Sequence, residues 1–319
     1  MNWSKVELHC HTLASDGDLS CEQIVDRAIE RDYKAIAVTD HNTTSNVSSI
    51  IEYAKSKHMP IIKGIEWTTF WGHIVVHGGH SKVDWRDITL SNIDECISIA
   101  KASGDIVTLA HPYRLGFPFC SCCFNQFDIK QWQNIDAIEV YSHFNPHKDK
   151  ASQKAIELWH NLLKAGYKIG ATYGYDWHEL DYNPPIFAYT YVGCEGDVNE
   201  DSTIQAIKNH HTIVSLGLDT DIKFVKNNQV YCVGDIVGGG KLVIDMKVSC
   251  EPQYAEHHKV TPRYVKVITG HTCSRYELTG KTFCQEIDMS DDFVRLEIWG
   301  DIDCDEDSLL VITSPIWNK

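Results

Sequence analysis

The sequence lacks three features that would point away from a globular enzyme. No apolar run in its 319 residues approaches the roughly 20 needed to span a bilayer, so no membrane partner is expected. There is no basic stretch: 29 Lys and Arg stand against 44 Asp and Glu, a formal net charge of −15. Duplex-binding proteins draw much of their affinity from neutralised phosphates, so duplex nucleic acid is not expected as a partner. A small phosphorylated substrate stays open, because bound cations reverse the local field. Third, the opening Met1-Asn2-Trp3-Ser4-Lys5 shows no apolar core of a secretory leader. A cytoplasmic location is therefore expected, with the 12 cysteines reduced. Most of them stand singly in apolar stretches, as Cys96 and Cys232 do. Cys120 and Cys123 have Cys-x-x-Cys spacing, but no second pair follows to complete a structural zinc site. No repeat or low-complexity tract is present.

What remains is a chain of ordinary make-up, 43% hydrophobic and 23% charged, long enough to bury a sizeable core. β-Branched runs at 6–10, 35–39, 60–65, 106–110, 137–141, 168–172 and 212–215 are mostly separated by amphipathic helical stretches. Strands alternating with helices predict an α/β fold with parallel pairing, either a closed barrel or an open doubly wound sheet. Ser20-Cys21-Glu22-Gln23 fits a capping box, and Ile24, Ala28 and Ile29 continue a helical stripe. Ser45 is expected to cap the next helix, and Trp71-Gly72 to turn the chain into a reversal strand at 73–76. After about Leu218 the texture changes to alternating runs at 241–248, 263–268 and 294–299. Turn clusters separate them, including Gly238-Gly239-Gly240 and an acidic 301–307 segment read as a solvated loop. This predicts two domains, 1–218 and a small all-β sandwich at 219–319.

The residues that carry chemistry sit at strand ends. His9 and His11 flank Cys10 at the end of the first strand, and residues two apart on a strand face one side. Ser15-Asp16-Gly17 follows, where the glycine permits a turn that brings Asp16 back over the strand end. The second strand ends in Thr39-Asp40-His41-Asn42, the third in Gly64-Ile65-Glu66-Trp67, and a later one in Ala110-His111-Pro112. Another is followed by Asp176-Trp177-His178. Carboxyl ends of parallel strands are where βα loops gather active sites. Taken together these are five imidazoles and three carboxylates, more than one catalytic ion accepts. Imidazole with carboxylate suits manganese, zinc or iron, and two or three ions sharing a bridging carboxylate fit the number of donors.

In order and spacing, His9-x-His11-Thr12, Ser15-Asp16-Gly17, Thr39-Asp40-His41-Asn42-Thr43, Gly64-Ile65-Glu66, His111-Pro112 and Asp176-x-His178 resemble the motifs of the polymerase and histidinol phosphatase (PHP) superfamily. The resemblance covers roughly residues 1–217. It implies a distorted seven-stranded β/α barrel with a two- or three-metal site that hydrolyses phosphate esters. On that pattern His9, His11, Glu66 and Asp176 would hold one ion, and Asp16, His41 and His178 a second. Glu66 would bridge towards a third, with His111 and a histidine of the reversal strand. His73, in a His-Ile-Val segment like the family's, is favoured there. His77 has the spacing of some members, periodicity does not separate the two, and His80 is a looser option. The tail, Arg295-Leu296-Glu297-Ile298-Trp299 and then 310–317, is similar to the C-terminal β-domain of the carbaryl-hydrolase-like branch, which includes carbamate ester hydrolysis.

Three functions follow as expectations. The first is a phosphoesterase acting on a small phosphorylated metabolite or nucleotide, with a metal-bridged hydroxide as nucleophile. The second is a carboxyl or carbamate ester hydrolase, and the third a non-catalytic metal-binding regulatory module. His178 and His143 are candidates to protonate a leaving alkoxide, and Arg114 to clamp phosphate through its guanidinium fork. Trp67, Trp71, Phe117, Phe119 and Trp177 crowd the same loops, to wall a pocket or simply to pack the barrel top. Nothing in the sequence sets an oligomeric state.

Overall fold

A computed structural model describes residues 1–116, 123–180 and 186–319. Strand β1 (Asn2–Glu7) pairs in parallel with β2 (Ala35–Val38), and β2 with β3 (Ile61–Thr69). Helix α1 (Cys21–Glu30) connects the first two and starts as expected. The Ser20 side chain accepts from the Gln23 backbone N–H, and the Gln23 side chain accepts from that of Ser20. Ile24, Val25 and Ala28 are its buried face. Helix α2 (Val47–Ser56) differs from expectation, because its N-cap is Asn46 rather than Ser45. The Asn46 amide does not cap the helix but reaches back to Thr12 Oγ1 and Asp40 Oδ2, tying this loop to the end of β1.

The reversal strand β4 (Gly72–His77) lies within the sheet, antiparallel to β3 and to β5 (Ile106–Leu109). Parallel pairing then resumes through β6 (Ala137–Ser142) and β7 (Gly170–Gly174). Helices α3 (Ile93–Ala102) and α4 (Lys150–Lys164) precede β5 and β7. On the other side of β1 runs β8 (Tyr189–Cys194), a strand not read from the sequence. It is buried throughout, so it lacks the polar alternation that marks a half-exposed strand. After helix α5 (Glu200–Lys208), β9 (Thr212–Ser215) pairs antiparallel with β8. The sheet is therefore mixed rather than parallel throughout, in the order β9-β8-β1-β2-β3-β4-β5-β6-β7. It curls until β7 meets β8: the Tyr173 N–H donates to Thr190 Oγ1 at 2.8 Å, and that hydroxyl donates to Tyr173 O at 3.0 Å.

The remaining chain is β-rich. Strands β10 (Leu218–Lys226), β11 (Gln229–Tyr231), β13 (Gly240–Cys250) and β16 (Thr282–Met289) form a separate four-stranded sheet. Strands β12 (Ile236–Val237), β14 (Val260–Thr269), β15 (Cys273–Glu277), β17 (Phe293–Ile302), β18 (Asp305–Thr313) and β19 (Ile316–Asn318) continue the first sheet through β18, which pairs antiparallel with β9. Helix α6 (Pro252–Ala255) is a single turn. Polar ties join the two parts: Tyr141 Oη donates to Leu309 O at 2.9 Å, and Lys5 meets Glu251 at 2.9 Å, both buried. The acidic segment is not simply solvated, as its carboxylates find specific partners. Asp301 pairs with Arg263, Asp303 with His258, Asp305 with His147 and Lys148, and Asp307 with Tyr264.

Candidate metal centre

All nine ligand candidates meet at one end of the curled sheet. His9 and His11 continue the line of β1 and face its interior. His9 Nε2 lies 3.4 Å from both Glu66 Oε1 and Asp176 Oδ1, and His11 Nε2 lies 3.0 Å from Asp176 Oδ1 and 3.6 Å from Glu66 Oε2. All four of these residues are buried. A second group opens to solvent: Asp16 Oδ1 is 3.2 Å from His178 Nε2, and its Oδ2 is 3.4 Å from His41 Nε2. Gly17 makes that approach possible, because a Cβ there would stand 2.7 Å from the His11 carbonyl. Glu66 serves a third direction as well. Its Oε1 lies 2.9 Å from His73 Nδ1 and 3.2 Å from His111 Nε2, and its Oε2 lies 2.7 Å from His41 Nδ1.

The structure separates His73 from His77. His73 faces Glu66, whereas His77, at the far end of β4, donates from Nε2 to Leu8 O at 2.8 Å. His80 lies beyond the strand, its backbone N–H on Asp105.

The donor chemistry fits cations. On the ligand candidates around Glu66 and Asp176, five buried ring nitrogens have no hydrogen-bond partner: His9 Nε2, both nitrogens of His11, His73 Nε2 and His111 Nδ1. Leaving one such group unpaired costs about 1–3 kcal/mol, so five together mark a place built for something else. Carboxylate oxygens stand 3.0–3.6 Å from several of them without lining up as hydrogen bonds, as donors facing a shared ion do. Buried imidazole and carboxylate on one rim are a transition-metal donor set.

Carboxylates and imidazoles shift one another across the site. Burial would raise the Glu66 carboxyl, but the imidazoles of His9, His73, His111 and His41 hold it well below the usual range. Asp176 is likewise opposed by burial yet held low by His9, Arg114 and His11. Burial lowers His11 to about 4, leaving it neutral and able to ligate. Burial also opposes charge on His41, but its bonds to Asp16 and Glu66 raise it to about 10. His178 donates from Nδ1 to the Asp176 carbonyl at 2.7 Å, which turns Nε2 towards Asp16.

The catalytic candidates are placed less simply. Arg114 Nη1 donates to Asp176 Oδ2 at 2.6 Å, so the guanidinium sits beside the ligands. His143 follows β6 at the same rim, with Nδ1 buried and unpartnered. Burial, and then the Arg114 charge, lowers it to about 4, so it is neutral at neutral pH. Ligands and candidates share backbone strain: His111, Asp176 and His143 have φ of 22°, 55° and 59°. Such outliers gather at functional sites, where the surroundings hold them.

Trp67 and Trp177 pack into the fold rather than line an opening. The Arg31 guanidinium covers Trp177, 4.5 Å from its ring. Phe117, Phe119, Cys120 and Cys122 lie outside the described residues, so the Cys120–Cys123 pairing is not placed.

Two buried carboxylates beside the ligand candidates escaped the sequence reading. Glu7 Oε1 accepts from the backbone N–H groups of Leu8, His9 and Tyr175, clamping the ends of β1 and β7 together. Burial pushes it up to about 7. Glu139 Oε1 meets His9 Nδ1 at 2.8 Å. The only sequence signal was a glutamate inside an otherwise buried strand.

Residues 7–90 match the PHP domain family model. Among curated relatives, a 3',5'-nucleoside bisphosphate phosphatase from Chromobacterium violaceum is 32% identical over 74 residues, 23% of this chain and 26% of that protein. The 5'-3' exoribonuclease Rnm from Escherichia coli is 37% identical over 73 residues, 22% of this chain and 25% of its own. The chain thus spans about a quarter of the length of these relatives. Over the whole fold, a two-domain protein from Bacteroides vulgatus containing a predicted PHP-like metal-dependent phosphoesterase superposes with a TM-score of 0.53. It is 15% identical, with 99% of this chain and 95% of that one covered.

These comparisons overturn the expectation that duplex nucleic acid is no partner. Rnm, a matched relative, is a 5'-3' exoribonuclease, so net charge does not exclude a nucleic-acid substrate. Net charge sums over the whole surface, whereas a phosphate meets only the local field, which bound cations invert. No described helix is long and apolar enough to cross a membrane. Matched motifs and shared architecture agree: residues 7–90 are similar to the PHP domain, and the whole chain shares the fold of a solved two-domain protein.

Proposed function

We propose that this chain is a metal-dependent hydrolase of phosphate esters, acting where His9, His11, Asp16, His41, Glu66, His73, His111, Asp176 and His178 converge. The curled sheet is read as a distorted β/α barrel of residues 1–218, in which β4 and β8 join the seven expected strands, with a small all-β domain at 219–319. The β7–β8 contact through Thr190 supports closure.

The observation that carries the function is the set of orphaned, buried imidazole nitrogens around Glu66 and Asp176. Two or three manganese, zinc or iron ions suit it. The first would be held by His9, His11, Glu66 and Asp176, the second by Asp16, His41 and His178, and a third by Glu66, His73 and His111. Ions so held acidify water and offset charge developing on a phosphoryl group.

The chain's own groups supply the rest. Arg114 spends one N–H on Asp176, and the rest of its fork can take phosphate oxygens. His178 keeps its proton on Nδ1, anchored to the Asp176 carbonyl. His143, neutral at the rim, can exchange a hydrogen bond with a leaving group. The matched phosphatase and exoribonuclease support phosphorus over carbonyl carbon as the centre attacked.

The test is elemental analysis together with a panel of phosphomonoesters, nucleoside bisphosphates, cyclic phosphates, oligonucleotides and aryl carbamates. More than one ion per chain and turnover of a phosphate ester are expected, both lost in Asp176→Asn. Full metal content and full turnover in that variant refute the assignment. Turnover confined to the carbamates would move the reaction to carbonyl carbon.

A further inference from the structure

Glu139 lies on β6, almost wholly buried, and its carboxylate crosses the interior to reach β1. Oε1 bonds His9 Nδ1 at 2.8 Å, and Oε2 accepts the backbone N–H of His111 at 2.9 Å. A carboxylate only accepts, so His9 Nδ1 carries a proton, and in the neutral ring that ligates a metal the lone pair is on Nε2, the atom facing Glu66 and Asp176. The second bond falls on His111, whose φ of 22° needs an outside hold. Two features of the fold serve this arrangement. Glu139 pairs with Thr172 but Tyr141 with Tyr173, so β6 carries one extra residue here. Such bulges re-aim side chains next to active sites. On β7, a Cβ at Gly174 would stand 2.1 Å from Oε1 and 2.5 Å from Cδ, so the carboxylate occupies space that only glycine leaves.

We propose that Glu139 is a positioning residue that couples two ion positions, one through His9 and the other through His111; this rests on the metal-centre reading above. Both of its oxygens are engaged, so it acts behind the ligands rather than as one. Carboxylates behind metal-binding histidines fix the ring and strengthen it as a donor. Displacing Glu139 loosens the ions served by His9 and His111 together. The outer group, Asp16, His41 and His178, keeps its own contacts.

The test uses the full chain, stripped of metal and titrated with Mn²⁺, with stoichiometry and affinity read by calorimetry. In Glu139→Gln and in Gly174→Ala, binding at the inner positions weakens roughly 10–100-fold while the outer ion is held about as before. The fold of each variant is checked by circular dichroism. A second measurement needs no variant: nitrogen NMR of the wild type loaded with diamagnetic Zn²⁺ should show His9 protonated at Nδ1. Wild type that binds no Mn²⁺ overturns the metal centre and this proposal with it. Wild type that binds Mn²⁺, with folded variants that bind it unchanged or weaken every ion equally, overturns only the role of Glu139. So does His9 without a proton on Nδ1.

Discussion

Chelation should lower the melting temperature by an amount that follows from where the ligands sit. They come from β3, β4 and the chain just beyond β1, β2, β5 and β7, spread over residues 9–178. Such a set exists only in the folded chain, so bound ions stabilise the native state by mass action. With free Mn²⁺ at 100 times Kd, each occupied position adds about 2.7 kcal/mol, and two add about 5 kcal/mol. Unfolding entropy is about 2.1 cal/mol/K per residue, or about 0.7 kcal/mol/K over 319 residues. The two ions are therefore worth about 8 °C in Tm. Each further tenfold rise in free Mn²⁺ adds about 1.4 kcal/mol per position, about 4 °C for two. The nine tryptophans give a fluorescence signal for the transition, and calorimetry checks it. Asp176→Asn should lose most of the Mn²⁺ dependence. A wild-type Tm unmoved by EDTA, and flat over a 100-fold range of Mn²⁺, would refute the account.

His73→Ala should lower the Mn²⁺ stoichiometry. His77→Ala should keep the metal but lose about 1–3 kcal/mol of stability in urea, because Leu8 O is left unpaired. Gly17→Ala sets a Cβ against the backbone of His11, which no rotamer change relieves. It should cost about 1–3 kcal/mol in denaturant unfolding and weaken the outer ion. Lys5→Met strands Glu251 in a buried site and should cost about 3–5 kcal/mol by urea midpoint. Adding Glu251→Gln should recover much of that loss, and no recovery would mean that the pair is not what is being measured.

The ligand candidates were legible because they break a local rule. His, Asp and Glu at the last positions of parallel strands serve no packing purpose, and several such strands ended that way. His73 and His77 stood undecided, since four residues along a strand share a face. Only the direction of β4 put one at the rim and the other against Leu8. Glu7 and Glu139 were hidden for the opposite reason. They lie inside the strands, where a single glutamate reads as an outward polar position. Their inward turn comes from the sheet's curl and, for Glu139, from a bulge. β8 was missed because it is buried along its whole length, and the cap of α2 because Asn46 answers to Asp40 instead of to its own helix.

The bond between β18 and β9 has a bearing on how this protein can be dissected. β9 has β8 on one flank and β18 on the other, so neither edge meets water. A fragment ending near residue 218 would leave one flank of β9 bare, a row of unpaired amides and carbonyls open to the same strand of another molecule. Light scattering should show such a fragment associating more strongly than the whole chain.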